Sequence, residues 1–316
     1  MSHLNYNKEG KFRICQLTDL HLSSQPERQE KNEKTLNIMK SAIESQKPDF
    51  LALTGDISHG ENNGKLLEGI ASVCQDYRIP WAVALGNHDG NEEGDALDRE
   101  GLADLLETLP MSLFKKGPED IMGYGNFFIT VGEKSSPDWA LFFIDSNNRR
   151  EVPSKDGGME SAYDYIYRNQ IDWYLKESEE LEKRFGKKLG ELAFFHNPLP
   201  EYNEVWSYNP CVGQRNEYIC CPKTNSGMFA AMVDRGGMRG CFVGHDHIND
   251  FDGKLFGIRL CYGRGSGHNT YGMYGFPLGA RIIDIDKDTS DFYSYIYLED
   301  GTCHEQKRIH EPEHHF

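Results

Sequence analysis

Short apolar runs that end in polar residues recur through the first ninety residues of the chain. They lie within residues 12–22 (FRICQLTDLHL), 50–57 (FLALTGDI) and 81–90 (WAVALGNHDG). Between them, segments 26–46 and 65–77 carry apolar residues at helical spacing. This β-α-β-α-β order predicts parallel strands in a sheet that is covered on both faces.

The second half of the chain continues with strands and helices in a less regular order. Residues 201–226 are aromatic and polar without periodicity, which predicts a long loop. The pattern predicts helices over 169–185 and 227–236. It predicts strands within 124–132, 139–147, 191–202, 239–247, 254–263, 280–288 and 291–301, the last two as a hairpin.

Nothing along the sequence divides the chain into parts, since no repeat, low-complexity tract or linker interrupts it. We therefore expect residues 1–316 to form one domain with a core over about 12–298 and a short polar C-terminal tail. His314 and His315 in that tail could bind metal adventitiously, and we assign the tail no function.

Composition limits the classes of partner. The formal net charge of -16 repels polyanions, so long nucleic acid is not an expected partner. No apolar run approaches the ~18 residues of a membrane span, and no secretory signal is visible. The eight cysteines fit free thiols in a reducing compartment, so we expect a cytoplasmic location. A disulfide involving Cys211, Cys220 or Cys221 stays open.

Metal-competent side chains follow several of the predicted strands. They are Asp19, His21, Asp56, Asn87, His88, His196, His245 and His247. Ligands of open α/β sheets gather beyond the carboxyl ends of the strands. Mixed carboxylate, imidazole and amide groups suit Mn, Fe, Zn or Ni better than Ca or Mg. The set is too large for one ion but is sufficient for two if one carboxylate bridges them.

Structural explanations compete with ligation at each of these positions. His245 and His247 would also fit a solvated turn, His196 a core histidine, and Asn87 a simple turn. Asp19 and Asp56 could cap helices, which is compatible with ligation. Alternate residues of an extended chain face the same side, so His245 and His247 can each reach one of two adjacent ions. The recurrence of such groups after several strands favours ligation.

The motifs TDLHL (18–22), LTGDI (53–57), LGNHDG (85–90), FFHNPLP (194–200) and GHDH (244–247) occur in an order that resembles the calcineurin-like metallophosphoesterase superfamily. FFHNPLPEY, VGHDHINDF, and CYGRGSG followed by GFPLGARIIDI resemble its purple-acid-phosphatase-related branch, which contains the dosage-dependent cell-cycle regulator phosphatases. The chain departs from the superfamily at Phe195, where many members have Gly. His21 stands in the nonpurple pattern, so we expect no purple colour.

The resemblance implies an α/β fold: a four-layer α-β-β-α sandwich of two mixed β-sheets flanked by helices. It implies two divalent transition-metal ions (Mn, Fe, Zn or Ni). It assigns Asp19, His21 and His247 to the first ion, Asn87, His196 and His245 to the second, and Asp56 to a bridge between them. It also implies that His88 contacts phosphate and protonates the leaving group, with Asp89 orienting its ring.

The resemblance further implies hydrolysis of phosphate esters, as a phosphomonoesterase or phosphodiesterase, by direct attack of a metal-bound hydroxide. The expected partner is a small or protein-borne phosphate ester. A non-catalytic metal-dependent binding scaffold is the alternative, and a nuclease is disfavoured by the net charge.

Other residues are weaker candidates. We expect specificity to lie in loops 91–125 and 201–226. Arg264 could clamp a phosphate oxygen, and Tyr202 could line the site with neighbouring aromatic residues. His59, Asp145 and His268 fit surface or structural roles better, and the tyrosines of 163–174 fit helix core. Oligomeric state is left open.

Overall fold

The computed structural model describes residues 2–90, 94–287, 289–306 and 309–312. In these ranges the helices are α1 (Gln29–Gln46), α2 (Asn63–Asp76), α3 (Arg99–Thr108), α4 (Arg168–Phe185), α5 (Glu201–Tyr208) and α6 (Met228–Arg235). The strands are β1 (Ser2–Leu4), β2 (Lys11–Leu17), β3 (Leu22–Ser23), β4 (Phe50–Leu53), β5 (Ser58–His59), β6 (Trp81–Val83), β7 (Phe127–Glu133), β8 (Ser136–Phe143), β9 (Arg149–Pro153), β10 (Met159–Tyr163), β11 (Gly190–Phe194), β12 (Cys211–Val212), β13 (Met238–Val243), β14 (Asp252–Leu255), β15 (Ile258–Tyr262), β16 (Gly279–Asp286), β17 (Phe292–Leu298), β18 (Cys303–His304) and β19 (Ile309–His310).

Two mixed sheets contain most of these strands. The large sheet has the order β1-β7-β8-β11-β13-β15-β14-β12-β19, with β8, β11, β13 and β15 parallel to one another. The small sheet has the order β18-β17-β16-β2-β4-β6. The predicted β-α-β-α-β unit is present, because β2, β4 and β6 are parallel. The predicted C-terminal hairpin is also present as antiparallel β16 and β17.

A ladder of phenylalanines packs between the two sheets. Phe127, Phe143, Phe194 and Phe242 are in register on four neighbouring strands of the large sheet. Their rings stack at centroid distances of 5.0, 5.1 and 5.2 Å. Phe50 of the small sheet meets Phe143 edge-on at 6.1 Å. Offset and edge-on aromatic contacts of this kind add to the free energy of burial.

Helices cover the outer face of each sheet. On the small sheet, α1 lies against β2 and β16 and buries Met39 and Ile43. On the large sheet, α5 and α6 contact β14 and β13, and the Tyr174 ring of α4 packs edge-on against Phe142 at 5.0 Å. The expected four-layer α-β-β-α sandwich is confirmed.

Several local predictions were wrong. Residues 201–226 are not a continuous loop, because α5 and β12 lie within them and Tyr202, Val205 and Trp206 are buried. Helix α3 and the β9–β10 hairpin were not predicted. Ordered structure also extends beyond residues 12–298, since β1 pairs with β7 and β19 with β12. His314 and His315 lie outside the described residues.

All eight cysteines have free thiols, including Cys211, Cys220 and Cys221.

Among the described residues, no helix combines the length and apolar character that crossing a bilayer requires.

A fully buried arginine connects the two sheets. Arg281 of β16 in the small sheet is 0% exposed. Its guanidinium donates to the carbonyl oxygen of Tyr262 in β15 of the large sheet (2.6 Å) and to that of Asp250 in the loop before β14 (2.7 Å). It also donates to Ser294 Oγ at 2.7 Å. Buried carbonyl groups that lose such a donor are left without water as a substitute.

We predict that Arg281→Met lowers the free energy of unfolding by about 3 kcal/mol, because it leaves several buried acceptors unsatisfied. Urea unfolding followed by circular dichroism measures the change. Arg168→Met is the matched control, since Arg168 is exposed and pairs only along its helix with Asp172, and it should change stability by less than about 0.5 kcal/mol. Equal stability of the two variants would contradict this role for Arg281.

Candidate metal centre

The carboxyl ends of five parallel strands deliver the predicted ligands to one place. Asp19 follows β2, Asp56 follows β4 and Asn87 follows β6, all on the small sheet. His196 follows β11 and His245 follows β13 on the large sheet. The two sheets therefore contribute ligands from opposite sides of one cleft.

Within the cleft, the side chains form two groups of three. Asp19, His21 and His247 offer ligand atoms that lie within 4.8 Å of one another, and so do Asp56, His196 and His245. In the first group, Asp19 Oδ1 is 3.5 Å from His247 Nε2 and 4.0 Å from His21 Nε2. These groups match the division between two ions that the sequence predicts, and Asp19, His21 and His247 could hold the first ion.

Asp56 lies between the two groups. Its Oδ2 is 3.1 Å from His196 Nε2 and 3.5 Å from His21 Nε2, so it faces a histidine of each group. Its Oδ1 accepts a hydrogen bond from the backbone N–H of His88 at 2.7 Å, which fixes the carboxylate. Asp56 is thus placed where a bridging ligand would be required.

The side chains fit metal ions because they carry shielded polar atoms that the protein leaves unpaired. Asn87 Oδ1, His21 Nε2, His245 Nε2 and His247 Nδ1 have no hydrogen-bond partner among the described residues. Buried polar atoms are normally satisfied, so this concentration fits a site that holds a ligand. His196 Nδ1 lies 2.8 Å from the carbonyl of Thr54, and donation to that oxygen leaves Nε2 with a lone pair facing the cleft.

The pKa values of the cleft histidines agree with metal binding. Burial lowers the pKa of His21 to about 4 and that of His245 to about 3, which keeps both imidazoles neutral and able to bind metal near pH 7. Burial also opposes a charge on His196, but the nearby Asp56 carboxylate outweighs it and raises the pKa of His196 to about 9. The cleft therefore favours positive charge beside Asp56, which a metal ion would supply.

The backbone is strained at the ligands. Four of the ten non-glycine residues with positive φ in the described ranges are Asp19 (55°), His21 (44°), Asp56 (51°) and His245 (78°). Left-handed backbone costs a residue with a Cβ roughly 1–2 kcal/mol, although less for Asp. Strain of this kind concentrates at functional sites, where surrounding structure holds it.

Glycines precede the ligands because the strand ends approach closely. A Cβ on Gly86 would lie 2.2 Å from the backbone nitrogen and from Oδ1 of Asp56. A Cβ on Gly244 would lie 1.8 Å from Thr18 Oγ1 and 2.8 Å from Asp19 Oδ2. The glycine of GHDH is therefore required for the two sheets to share one site, and the glycine of GNH is required for two ligand loops of the small sheet to approach each other.

His88 borders this centre, but Asp89 does not orient it. The half-buried His88 ring packs edge-on against His21 at 5.2 Å, and its Nδ1 is shielded and without a partner among the described residues. Asp89 instead accepts hydrogen bonds from the backbone N–H groups of Ile57 (2.9 Å), Ser58 (3.2 Å) and Gly86 (2.8 Å). The expected role of Asp89 as the partner of His88 is thus corrected: its carboxylate ties the Asp56 loop to the Asn87 loop.

The two candidate substrate contacts, Arg264 and Tyr202, are buried. Arg264 is 4% exposed, and its guanidinium pairs with Asp250 at 2.5 Å and donates to the carbonyl of Pro277 at 2.7 Å. Tyr202 is 0% exposed, and its hydroxyl donates to the carbonyl of Cys241 at 3.0 Å. Both side chains are committed to internal contacts, because the segments carrying them fold into the core rather than over the cleft.

Sequence reasoning missed several residues around the centre. Arg99 donates to the carbonyl oxygens of Gly86 (2.5 Å) and Asp89 (3.0 Å) and pairs with the buried Asp145. The Tyr163 ring stands perpendicular to that of His245 at 4.4 Å. Asp145 follows an apolar strand as the ligands do, and this signal could have raised its priority. No pattern in the sequence singles out Arg99. Tyr163 was expected in a helix core but lies in β10 instead.

Comparison with known proteins agrees with these observations. The family model described as calcineurin-like phosphoesterase matches residues 12–249. Probable inactive purple acid phosphatase 29 of Arabidopsis thaliana is 31% identical over 314 residues, which covers 90% of this chain and 79% of that protein. Phosphatase DCR2 of Saccharomyces cerevisiae is 33% identical over 326 residues, which covers 92% of this chain and 54% of that protein.

Solved structures share the fold at low identity. A dimetal phosphatase from Danio rerio has a TM-score of 0.55 at 11% identity and covers 90% of this chain and 98% of its own. Purple acid phosphatase PPD1 from yellow lupin seeds has a TM-score of 0.53 at 12% identity and covers 94% of this chain and 53% of its own. These two likenesses support the fold alone.

We predict that Asp89→Asn weakens binding of the second metal ion about 10–100-fold, as loss of an outer hydrogen-bonding group around a metal site commonly does. An amide cannot accept from all three backbone donors, so the Asn87 loop should shift. Calorimetric titration with Mn²⁺ measures the change. Asp98→Asn is the control, because Asp98 caps α3 and asparagine caps equally well. Unchanged metal affinity in Asp89→Asn would contradict this role.

Proposed function

The chain belongs to the calcineurin-like phosphoesterase family, and on that basis we propose that it is a metal-dependent phosphoric ester hydrolase that uses two divalent transition-metal ions. The observation that carries the proposal is the convergence of six candidate ligands from both sheets, with Asp56 facing a histidine of each group. Mn, Fe, Zn and Ni all suit this mixture of imidazole, carboxylate and amide groups.

Two ions bound here would activate a water molecule for attack on phosphorus and would neutralise charge on the phosphate oxygens. The residues of the chain determine where the substrate lies. Two divalent ions would carry four positive charges against the two carboxylates of Asp19 and Asp56, which leaves a surplus that attracts an anionic ester. This local charge opposes the overall net charge of -16.

His88 is the residue that we propose acts directly on the substrate. Its backbone N–H is anchored on Asp56, and its ring borders His21 and the exposed His59, at centroid distances of 5.2 and 5.3 Å. From this place the imidazole can donate a hydrogen bond to a phosphate oxygen and transfer a proton to the departing alkoxide oxygen. Among the described residues, no Ser, Cys or Asp lies in a recognised nucleophile motif, which supports direct attack by water.

A non-catalytic metal-dependent scaffold is the alternative, and one finding favours it. Three relatives at 31–32% identity bear names that begin with "Probable inactive". The complete candidate ligand set together with His88 supports the enzyme for this chain. The proposed substrate is a small or protein-borne phosphate ester, because the acidic surface disfavours long nucleic acid.

The test uses protein loaded with Mn²⁺, Fe²⁺, Zn²⁺ or Ni²⁺ and a panel of substrates. The panel contains nitrophenyl phosphate, bis-nitrophenyl phosphate, a cyclic nucleotide and DNA. Turnover of a mono- or diester with at least one metal is expected, and the better ester decides between phosphomonoesterase and phosphodiesterase. Stoichiometric metal binding without turnover of any ester would contradict the enzyme and leave the scaffold.

We predict that His88→Ala retains both metal ions and lowers kcat by roughly 10²–10⁴-fold, the usual contribution of a general acid. Metal content by mass spectrometry and steady-state rates are measured on the same sample. His304→Ala, at an exposed histidine of β18, is the control and should match the parent. If His88→Ala lost metal instead, His88 would be a ligand and the proposed role would be wrong.

A further inference from the structure

An isolated hairpin stands beside the candidate metal centre. Among the described residues, strands β9 and β10 pair only with each other, and Tyr163 lies directly opposite Arg149 in their register. The base of the hairpin is fixed where β8 ends, because the Asp164 N–H donates to the Asn148 carbonyl at 3.1 Å and the Asn147 amide donates to the Tyr165 carbonyl at 2.9 Å. This anchoring places both side chains at a defined position.

Three side chains form a stack that extends outward from the centre. Tyr163 packs perpendicular to His245, a candidate ligand of the second ion, at 4.4 Å between ring centres. The guanidinium carbon of Arg149 lies 4.3 Å from the centre of the same tyrosine ring. A guanidinium over an aromatic face is attracted to it and held there. The Tyr163 ring therefore contacts both a candidate metal ligand and a positive charge.

Arg149 differs from the other cations of this region because it has no carboxylate partner. Arg99 pairs with Asp145, Lys116 pairs with Glu100 and Asp104, and Arg150 is 3.9 Å from Asp164. Within the described residues, the only contact that Arg149 makes through its charge is the one with Tyr163. Arg149 is exposed, so its N–H donors are available to a ligand.

Arg149 is one of the residues that line a cavity of about 1220 Å³. The lining also includes residues 115–124, Asn147 and Asn148. It includes Arg99 as well, which donates to the Gly86 carbonyl next to the candidate ligand Asn87. Asp145 connects two of the lining segments, since it accepts from the backbone N–H groups of Tyr124 and Asn147 at 2.8 Å each. The volume exceeds that of a typical small-ligand pocket, about 300–1,000 Å³.

We propose that Arg149 selects phosphate esters whose alcohol part carries a second anionic group, a carboxylate or a further phosphate. The reacting phosphoryl group lies at the metal centre, the alcohol part extends into the cavity, and the second anion pairs with the Arg149 guanidinium. A guanidinium suits this task because its planar N–H groups bind carboxylate and phosphate in pairs. The inference rests on the proposed function for the position of the phosphoryl group.

The test measures binding and needs no turnover. Calorimetry compares two phosphonates of matched length, 3-phosphonopropionate and propylphosphonate, on the Mn²⁺-loaded full chain. The parent should bind the carboxylate-bearing compound about tenfold more tightly, the scale of a hydrogen bond to a charged group. Arg149→Gln should lose this preference while binding propylphosphonate as the parent does. Arg150→Gln, at the neighbouring paired arginine, is the control and should keep it.

Two further variants separate charge from structure. Arg149→Glu should reverse the preference, so that 2-aminoethylphosphonate binds more tightly than propylphosphonate. Tyr163→Phe should retain the parent preference, since the ring and not the hydroxyl supports the guanidinium. 3-Phosphonopropionate and 1,3-propanediphosphonate distinguish a carboxylate from a second phosphate as the favoured anion.

Three outcomes would overturn the inference: no binding of either phosphonate, equal affinity of the parent for both, or an Arg149→Gln variant that retains the preference. A loss of equal size for both compounds in Arg149→Gln would also contradict it, because Arg149 would then act on the shared phosphonate. The proposed function can fail independently of this inference. If the chain hydrolyses no ester but still shows the Arg149-dependent preference, the anion site is supported and the hydrolase function is contradicted.

Discussion

The structure depends on two buried carboxylates that lie close to four imidazoles in one cleft. Their negative charge must be balanced inside the protein. Asp19 and Asp56 are each about 1% exposed, and each faces two histidine nitrogens within 4.0 Å. Charges removed from water require compensation inside the protein. The raised pKa of His196, despite burial that opposes its charge, shows that the cleft favours positive charge at this position. Two divalent ions would meet that requirement more fully than protons.

The rest of the fold maintains this constraint. The contact of Phe50 with the phenylalanine ladder and the hydrogen bonds of Arg281 join the two sheets, and this brings the strand ends of both sheets to one cleft. Gly244 permits the approach of the sheets, Gly86 permits the approach of two ligand loops within the small sheet, and Asp89 ties those two loops together. Left-handed backbone at Asp19, His21, Asp56 and His245 is sustained by these surroundings. Packing energy far from the centre thus holds ligands in conformations that they would not adopt alone.

Much of the architecture was predictable because its signals are local. Apolar runs such as FLAL and CFV become buried strands, and the polar residue after each run reaches the cleft because parallel strands end at the same edge. Asp19, His21, His196, His245 and His247 were identified by this reasoning. Helix α5 was missed because eight residues give little periodicity, although burial of Tyr202 and Trp206 holds it in place.

The surroundings of the centre were not predictable, since they depend on contacts distant in sequence. Arg264 resembles a phosphate clamp in the sequence, yet Asp250 and Pro277 engage its guanidinium. Asp89 adjoins His88 in the sequence but accepts hydrogen bonds from the backbone of Ile57 and Ser58, which are 32 and 31 residues away in the chain. Arg149 carries no motif and is distinguished only by its stack with Tyr163 and His245. Anomalous X-ray diffraction from crystals grown with Mn²⁺ tests directly whether the cleft holds two ions. We expect two peaks about 3.5–4 Å apart, one beside Asp19, His21 and His247 and one beside Asn87, His196 and His245, with Asp56 between them. A single peak, or none in this cleft at saturating Mn²⁺, would contradict this expectation.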